Sequence, residues 1–320
     1  MPVVCLADND ALQVPAASVI MPSYQSAGHI RLALAGLMAQ ETGLAYEVIV
    51  VDSSSDGADA IVRNEFPQVR LLHFAERRQV GSARNIGVQS ARGEIILFLD
   101  TDTVPAPAWI DQMCRAIRER GADAAGGSIS NGTPWSISGS AGFYLEFFRF
   151  LAYDGDPRPA RFLMGGNSAF RREVLSGVEY MDHSTGEDMV LSSRLAREGR
   201  KLLFLPRAAV KHLNRTGFRR VVGYQVKLGR GAFLYRSADS PDQVRLLRSL
   251  PLLTFLMPLG LLPWIGYSLL RRRLADFLRF LVLAPVCLVA NTGWALGFFQ
   301  ALRGSPVTKD LPVPADDSAQ

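Results

Sequence analysis

Short apolar runs alternate with amphipathic stretches along the N-terminal part of the chain. Ser18–Ser23 (SVIMPS), Tyr46–Asp52 (YEVIVVD), Val69–Phe74 and Glu94–Leu99 (EIILFL) have the length and apolar continuity of buried strands. Helical spacing fills the intervals, over about Gly28–Gln40, Ala58–Phe66, Gly81–Ala91 (small residues on one face) and Ala106–Arg120. This alternation predicts a parallel sheet with crossover helices. In such sheets ligands bind outside the carboxyl ends of the strands. Pro22-Ser23, Asp52 and the pair Asp100/Asp102 all fall at such ends, so they are expected on one rim.

The strand through Ile95–Leu99 ends in two carboxylates one residue apart. Packed closely, Asp100 and Asp102 repel unless a cation lies between them or one carries a proton. An Asp-x-Asp at a strand exit suggests a divalent metal held by oxygen ligands near a phosphate. The competing reading is helix capping before Ala106, which Asp and Thr do well.

Further along, Ser128–Arg161 mixes Gly, Ser and Pro with aromatics, and reads as a loop plus helix lining a pocket, or as ordinary packing. Gly165-Gly166-Asn167 permits close backbone approach to a ligand, or simply a tight turn. Gly186-Glu187-Asp188 opens a helix, where the macrodipole alone favours acids. A strand over Lys201–Val210 leads to His212, a candidate metal or phosphate contact, and to a run of cations including Lys227 and Arg230. These cations are placed to grip a diphosphate, or to rest on lipid headgroups.

Two stretches, Ser249–Leu270 and Phe280–Leu302, contain no charged residue, and each is long enough to cross a hydrocarbon core. Between them lies RRRLADFLR. Two full spans with a cytoplasmic domain would place that basic loop outside, against the positive-inside rule. An interfacial or re-entrant first segment keeps it inside, and two buried core helices of a soluble domain are the third reading. The chain is 320 residues, 48% hydrophobic, with net charge +5 and pI near 9.3. The basic clusters suit phosphate or an anionic membrane more than DNA, and no nucleic-acid motif is visible. Cys5, Cys114 and Cys287 form neither a disulfide framework nor a zinc pattern, which suits a reducing compartment. The N-terminus has no basic region of the kind that opens a secretory signal.

Taken together, the motifs resemble those of the family 2 glycosyltransferases of GT-A fold. Ser18–Ser23 is similar to the opening strand, Val50–Asp56 (VVDSSSD) to V-D-D-G-S-x-D, and Ala83–Gly87 (ARNIG) to A-R-N-x-G. Leu99–Asp102 resembles D-x-D, Phe162–Phe170 the G-G-x-x-x-F segment, and Gly186–Asp188 the E-D motif. Each is weak alone, and six in the family's order are specific. Ser53 stands where the family commonly has a second Asp, and Gln225 is not followed by the Q-x-x-R-W pattern of processive synthases.

The resemblance implies an α/β GT-A sheet, mixed but mainly parallel, with a C-terminal hydrophobic membrane region. It implies inverting, metal-dependent transfer of a sugar from a nucleotide-diphosphate donor to a lipid-linked or saccharide acceptor near a membrane. In that reading Asp188 is the catalytic base and Asp102, with His212, holds Mg²⁺ or Mn²⁺. Pro22, Ser23, Tyr24, Asp52, Arg84, Asp100, Gly165, Gly166, Asn167, Glu187, Lys227 and Arg230 bind substrate. The expected organisation is an N-terminal extension (1–17), a catalytic domain (18–240), a membrane-associated helical hairpin (241–304) and a disordered tail (305–320). The expected location is the inner cell membrane, with the catalytic domain facing the cytoplasm. A nucleotidyltransferase and an inactive membrane scaffold of the same fold are the alternatives. The first is disfavoured because Pro22-Ser23-Tyr24-Gln25 stands where a Gly-rich phosphate loop belongs.

Overall fold

The computed structural model describes residues 14–153, 155–183 and 185–304. Cys5, most of the expected N-terminal extension and all of the expected tail lie outside the described residues.

The chain begins as anticipated: β1 (Ala17–Ser23), α1 (Ile30–Met38), β2 (Tyr46–Asp52), α2 (Ala58–Glu65), β3 (Arg70–His73), α3 (Val80–Ser90) and β4 (Ile95–Leu99). A short strand, β5 (Thr103–Pro105), then precedes α4 (Trp109–Arg118), β6 (Ala124–Asn131) and α5 (Ile137–Phe147). Next come β7 (Arg158–Pro159), β8 (Asn167–Arg171), α6 (Arg172–Leu175), α7 (Glu187–Arg197) and β9 (Leu202–His212). The C-terminal helices are α8 (Phe218–Asp239), α9 (Pro241–Ser249), a 3₁₀ turn (Pro251–Leu256), α10 (Met257–Leu270) and α11 (Leu274–Gly304).

One nine-stranded sheet has the order β3-β2-β1-β4-β8-β6-β9-β5, with β7 beside β9. The half from β3 to β4 is parallel, and its register sets Ser23 opposite Asp52. The other half is mixed, because β8 runs antiparallel between β4 and β6. Successive side chains on a strand face opposite sides, so each strand feeds two cores. Val19, Met21, Val50 and Leu97 pack under α1 and α4, while Ile20, Val51, Ile96 and Phe98 pack against α3 and α7.

Tertiary pairing brings together what the sequence separates. β5 pairs antiparallel with β9, placing Thr103 opposite His212, and Leu213 N–H donates to the Asp102 carbonyl at 2.7 Å. The Asp-x-Asp corner and the end of β9 thus form one surface.

The 3₁₀ turn with α10, and α11, are each long and apolar enough to cross a membrane. Neither stands off from the domain. α11 lies along α8 in contact so close that a Cβ at Gly229 would overlap the Trp294 carbonyl, and one at Gly297 the Val226 carbonyl. Gly293 and Gly297 form a G-x-x-x-G pair, the spacing that lets helix backbones approach. The basic turn between α10 and α11 is tied back to the domain: Arg272 donates to the Phe148 carbonyl (3.2 Å) and Arg273 to that of Ala152 (3.3 Å). The outward face of the hairpin exposes Leu259, Tyr267, Leu278, Val282 and Leu296.

Candidate active site

A cavity of about 700 Å³ opens where β1 and β4 end. Pro22, Ser23 and Tyr24 line it, and the Arg77 guanidinium lies 4.3 Å above the Tyr24 ring. Asp52 is different from expectation. It is 0% exposed and lies behind the wall, not on it. Its carboxylate accepts from Ser23 Oγ (2.5 Å), Ser54 Oγ (2.6 Å) and Ser54 N–H (3.1 Å), and pairs with His73 Nδ1 at 2.7 Å. Such a carboxylate is fully engaged, so Asp52 fastens the loops after β1 and β2 rather than facing a ligand. Its neighbour Ser53 donates no acid to this rim; its Oγ accepts from Arg78 N–H.

Arg84 also has a role other than a free cation. Buried to 2% exposure, it bridges Asp100 (3.2 Å) and Glu187 (2.5 Å), with its guanidinium near the rings of Phe98 and Tyr180. Burial opposes the Arg84 charge, but Asp100 and Glu187 more than offset this and raise its pKa. Burial also raises the Asp100 carboxyl, with Arg84 pulling it down and Asp102 pushing it up. Glu187 is raised by burial and by neighbouring Asp188, against the pull of Arg84. One buried cation therefore locks the strand tip to the first turn of α7.

Asp102 faces His212, with Oδ1 3.5 Å from Nε2, and Arg215 stands 4.0 Å from Oδ2. The imidazole tautomer follows from its neighbours. Asn214 Nδ2 donates to Asn131 Oδ1 and Thr133 Oγ1, so Asn214 Oδ1 faces His212 Nδ1 at 2.9 Å. Nδ1 then carries the proton, and the Nε2 lone pair points at a carboxylate. Two acceptors facing each other call for a cation or a proton between them. Among the described residues no cluster of three or more such side chains could hold a metal alone. Asp102 and His212, with Asp100 alongside, offer oxygen and nitrogen donors of the kind a divalent cation takes.

Asp188 also lines the cavity. Its Oδ2 accepts from Gly165 N–H (2.9 Å) and its Oδ1 from Met189 N–H (2.8 Å), so the carboxylate is fixed with lone pairs to spare. The two glycines were expected to let a backbone approach a ligand. Gly166 lines the cavity, and a Cβ at Gly165 would strike the Arg84 guanidinium, one at Gly166 the Asp100 carboxylate. The bare backbone there accommodates the ion-pair network. Asn167 points into the core, accepting from Trp109 Nε1 (2.7 Å) and donating to the Ser128 carbonyl (2.9 Å). Lys227 lines the cavity, whereas Arg230 points away to Gln300 at 2.8 Å. The helical periodicity of α8 separates these two cations.

Sequence reasoning passed over several cavity residues. Glu146 is an acid inside the otherwise uncharged helix α5, a signal in itself. Burial pushes its carboxyl up to about 7, with Arg215 lowering it and Asp102 raising it. At the far end the cavity reaches Trp264 of α10 and Asn291 and Trp294 of α11. It therefore runs without interruption from the acidic rim to the two apolar helices.

A sheet of this order, with an Asp-x-Asp corner facing a histidine from its far half, defines a glycosyltransferase of GT-A type. The chain belongs to glycosyl transferase family 2, whose sequence model matches residues 18–178. It is 27% identical over 300 residues to the glycosyltransferase AglE of Haloferax volcanii, covering 89% of this chain and 96% of that one. It is 39% identical over 120 residues to the succinoglycan biosynthesis protein ExoO of Rhizobium meliloti, covering 37% of this chain and 33% of that one. Among solved structures, the mannosyltransferase PcManGT of Pyrobaculum calidifontis, in complex with GDP-Man and Mn²⁺, shares the fold. Its TM-score is 0.57 at 20% identity, over 94% of this chain and 90% of that one. GalNAc-T7 with UDP, GalNAc and Mn²⁺ matches at TM-score 0.51 and 17% identity, over 64% of this chain and 45% of that one.

Proposed function

We propose that this glycosyltransferase moves a sugar, with inversion, from a nucleotide-diphosphate donor to an acceptor seated at a membrane. The observation that carries the reading is the single cavity joining the Asp100/Asp102 rim to α10 and α11. The donor's nucleoside lies along Pro22–Tyr24, where the ring of Tyr24 and the guanidinium of Arg77 offer a stacking platform. The diphosphate lies at Asp102 and His212, with Arg215 and Lys227 nearby. A divalent ion held there, Mg²⁺ or Mn²⁺, supplies Lewis-acid neutralisation of the leaving diphosphate. The Mn²⁺ in both solved neighbours supports this choice.

Asp188 takes the proton from the acceptor hydroxyl as the sugar is transferred, and the backbone amides of Gly165 and Met189 hold it in place. Glu187 and Arg84 position Asp100 and the start of α7. No covalent sugar intermediate is required. We place the catalytic domain at residues 18–240 and the membrane-associated hairpin at 241–304. The hairpin seats in the inner leaflet of the cell membrane by its exposed apolar face, with the domain in the cytoplasm. The contacts of Arg272 and Arg273 with the domain support an interfacial seat over two full crossings.

The test is thermal stabilisation of the detergent-solubilised chain by UDP-, GDP- and dTDP-sugars with and without Mn²⁺. One nucleotide sugar is expected to stabilise only with Mn²⁺, and Asp102→Ala to abolish the shift. The absence of stabilisation by every donor would overturn the reading.

A further inference from the structure

The acceptor end of the cavity holds two cations without acidic partners. Arg149, at the end of α5, lies 4.4 Å above the ring of Trp264. Arg236, on α8, lies 5.6 Å from the ring of Trp294, and its Nη1 contacts Met257 Sδ at 3.8 Å. Among the described residues neither has a carboxylate within ion-pair distance. The charges that act on Arg149 are Tyr235 and Arg236, and the one that acts on Arg236 is Tyr235. Arg84 is matched by Asp100 and Glu187, Arg215 by Asp102 and Arg161 by Asp239, while Arg77 and Arg78, at the opposite end of the cavity, lie over the rings of Tyr24 and Phe74. Two guanidiniums that repel each other in a partly desolvated wall leave an anion-shaped vacancy in the charge pattern.

A second, independent feature marks the same wall. Asn291 is 1% exposed and lines the cavity one helical turn before Trp294, yet neither its Nδ2 nor its Oδ1 has a partner. A buried amide with both ends unmatched costs free energy unless a ligand or water completes it. In an apolar helix at membrane depth such a residue marks a substrate path.

Resting on the transferase reading above, we propose that Arg149, Arg236 and Asn291 bind the phosphate of a lipid-linked acceptor, a prenyl-type phosphate or diphosphate. The guanidiniums take the phosphoryl oxygens. Asn291 Nδ2 donates to the same group and its Oδ1 accepts from an acceptor hydroxyl. Trp264 and Trp294 set the level of the interface, as indoles do at membrane boundaries. The apolar tail runs onto the exposed face of α10 and α11, and the group to be glycosylated points toward Asp188. A neutral glycolipid would leave the two cations and their mutual repulsion unanswered.

The experiment titrates the full chain in neutral detergent with farnesyl phosphate, farnesyl diphosphate, farnesol and inorganic pyrophosphate, following tryptophan fluorescence. One of the prenyl phosphates is expected to bind at least roughly 30-fold tighter than farnesol, since each charge-assisted contact contributes severalfold or more. Arg149→Gln/Arg236→Gln should weaken that binding by roughly 30-fold, while Arg149→Lys/Arg236→Lys keeps it within a few-fold. Asn291→Leu should weaken it about tenfold. Pyrophosphate, lacking the tail, is expected to bind at least about tenfold more weakly than farnesyl diphosphate; equal affinity of the two would overturn the lipid assignment. Prenyl phosphate bound as tightly by the double Gln variant as by the natural chain would overturn the proposal. Stabilisation by nucleotide sugar with Mn²⁺, measured on the same preparations, separates the two levels. Its loss in the natural chain defeats the transferase reading, whereas its retention with prenyl-phosphate binding unchanged in the Gln variant defeats this inference alone. Retention in the Gln variant also shows that the variant is folded.

Discussion

Arg84→Met tests whether the strand tip and α7 are locked by one buried cation. Met keeps much of the aliphatic volume between Phe98 and Tyr180 but leaves Glu187 and Asp100 without their partner. Removing one member of a buried ion pair costs about 3–5 kcal/mol. The Glu187 side chain is 5% exposed and should carry that full cost, while Asp100 at 32% is partly solvated from the cavity and adds less. A loss approaching about 4 kcal/mol follows once Glu187 is ionised, or roughly 6 °C in melting temperature for a chain of this size. The pH dependence has a definite sign. The Glu187 carboxyl is already held above its ordinary value, and without Arg84 it rises further. Stability linked to a raised carboxyl is fully present below the unfolded value of about 4.3 and is lost as pH rises through the folded one. Both chains hold Glu187 protonated up to about pH 7, so the variant's pH-linked deficit should be flat below that value and widen as pH rises through it toward pH 8. Intrinsic-fluorescence melts in detergent across that range measure this. A variant melting within about 2 °C of the natural chain near pH 8, or a deficit larger in acid than in base, would refute the reasoning.

Asp188→Asn should lower transfer by roughly 10²–10⁴-fold while leaving Mn²⁺-dependent donor stabilisation intact; full turnover would remove Asp188 from its role as base. Gly297→Val drives side-chain atoms into the Val226 carbonyl and should part α11 from α8. The expected cost is about 1–3 kcal/mol, seen as a lower melting temperature and faster proteolysis around α9. An unchanged melt and cleavage pattern would show that the glycine contact is dispensable.

Much of the sheet was legible because its strands are apolar runs of the right length, and strand ends are where acids and Pro-Ser stand out. β5 was not: three residues carry no periodicity, and that strand exists only because β9 is there to pair with it. The partners of Arg84, Asp52 and Asn167 inside the protein were not legible for a related reason. A sequence shows that a cation, an acid or an amide is present, but not whether another side chain already satisfies it. Glu146, the one charged residue of α5, and Asn291, beside Thr292 within an uncharged stretch of α11, were findable as polar groups in apolar surroundings, a signal that the motif pattern overshadowed.

The sequence by itself determined the parallel half of the sheet, the rim where ligands meet it, the ordered family motifs and two apolar C-terminal segments. These depend on periodicity and local chemistry, which a chain carries in its own order. Only the tertiary structure decided which charges are spent and which are free. It matched Arg84 and Asp52 within the protein, turned Arg230 away, and brought His212 to Asp102 through the β5–β9 pair. It also left Arg149 and Arg236 without acidic partners, and Asn291 without hydrogen-bonding ones, among the described residues at the end of the cavity formed by α10 and α11. The reason is that an ionic or hydrogen-bonding group acquires its role from what lies within a few ångströms of it, and long-range packing alone sets those neighbours.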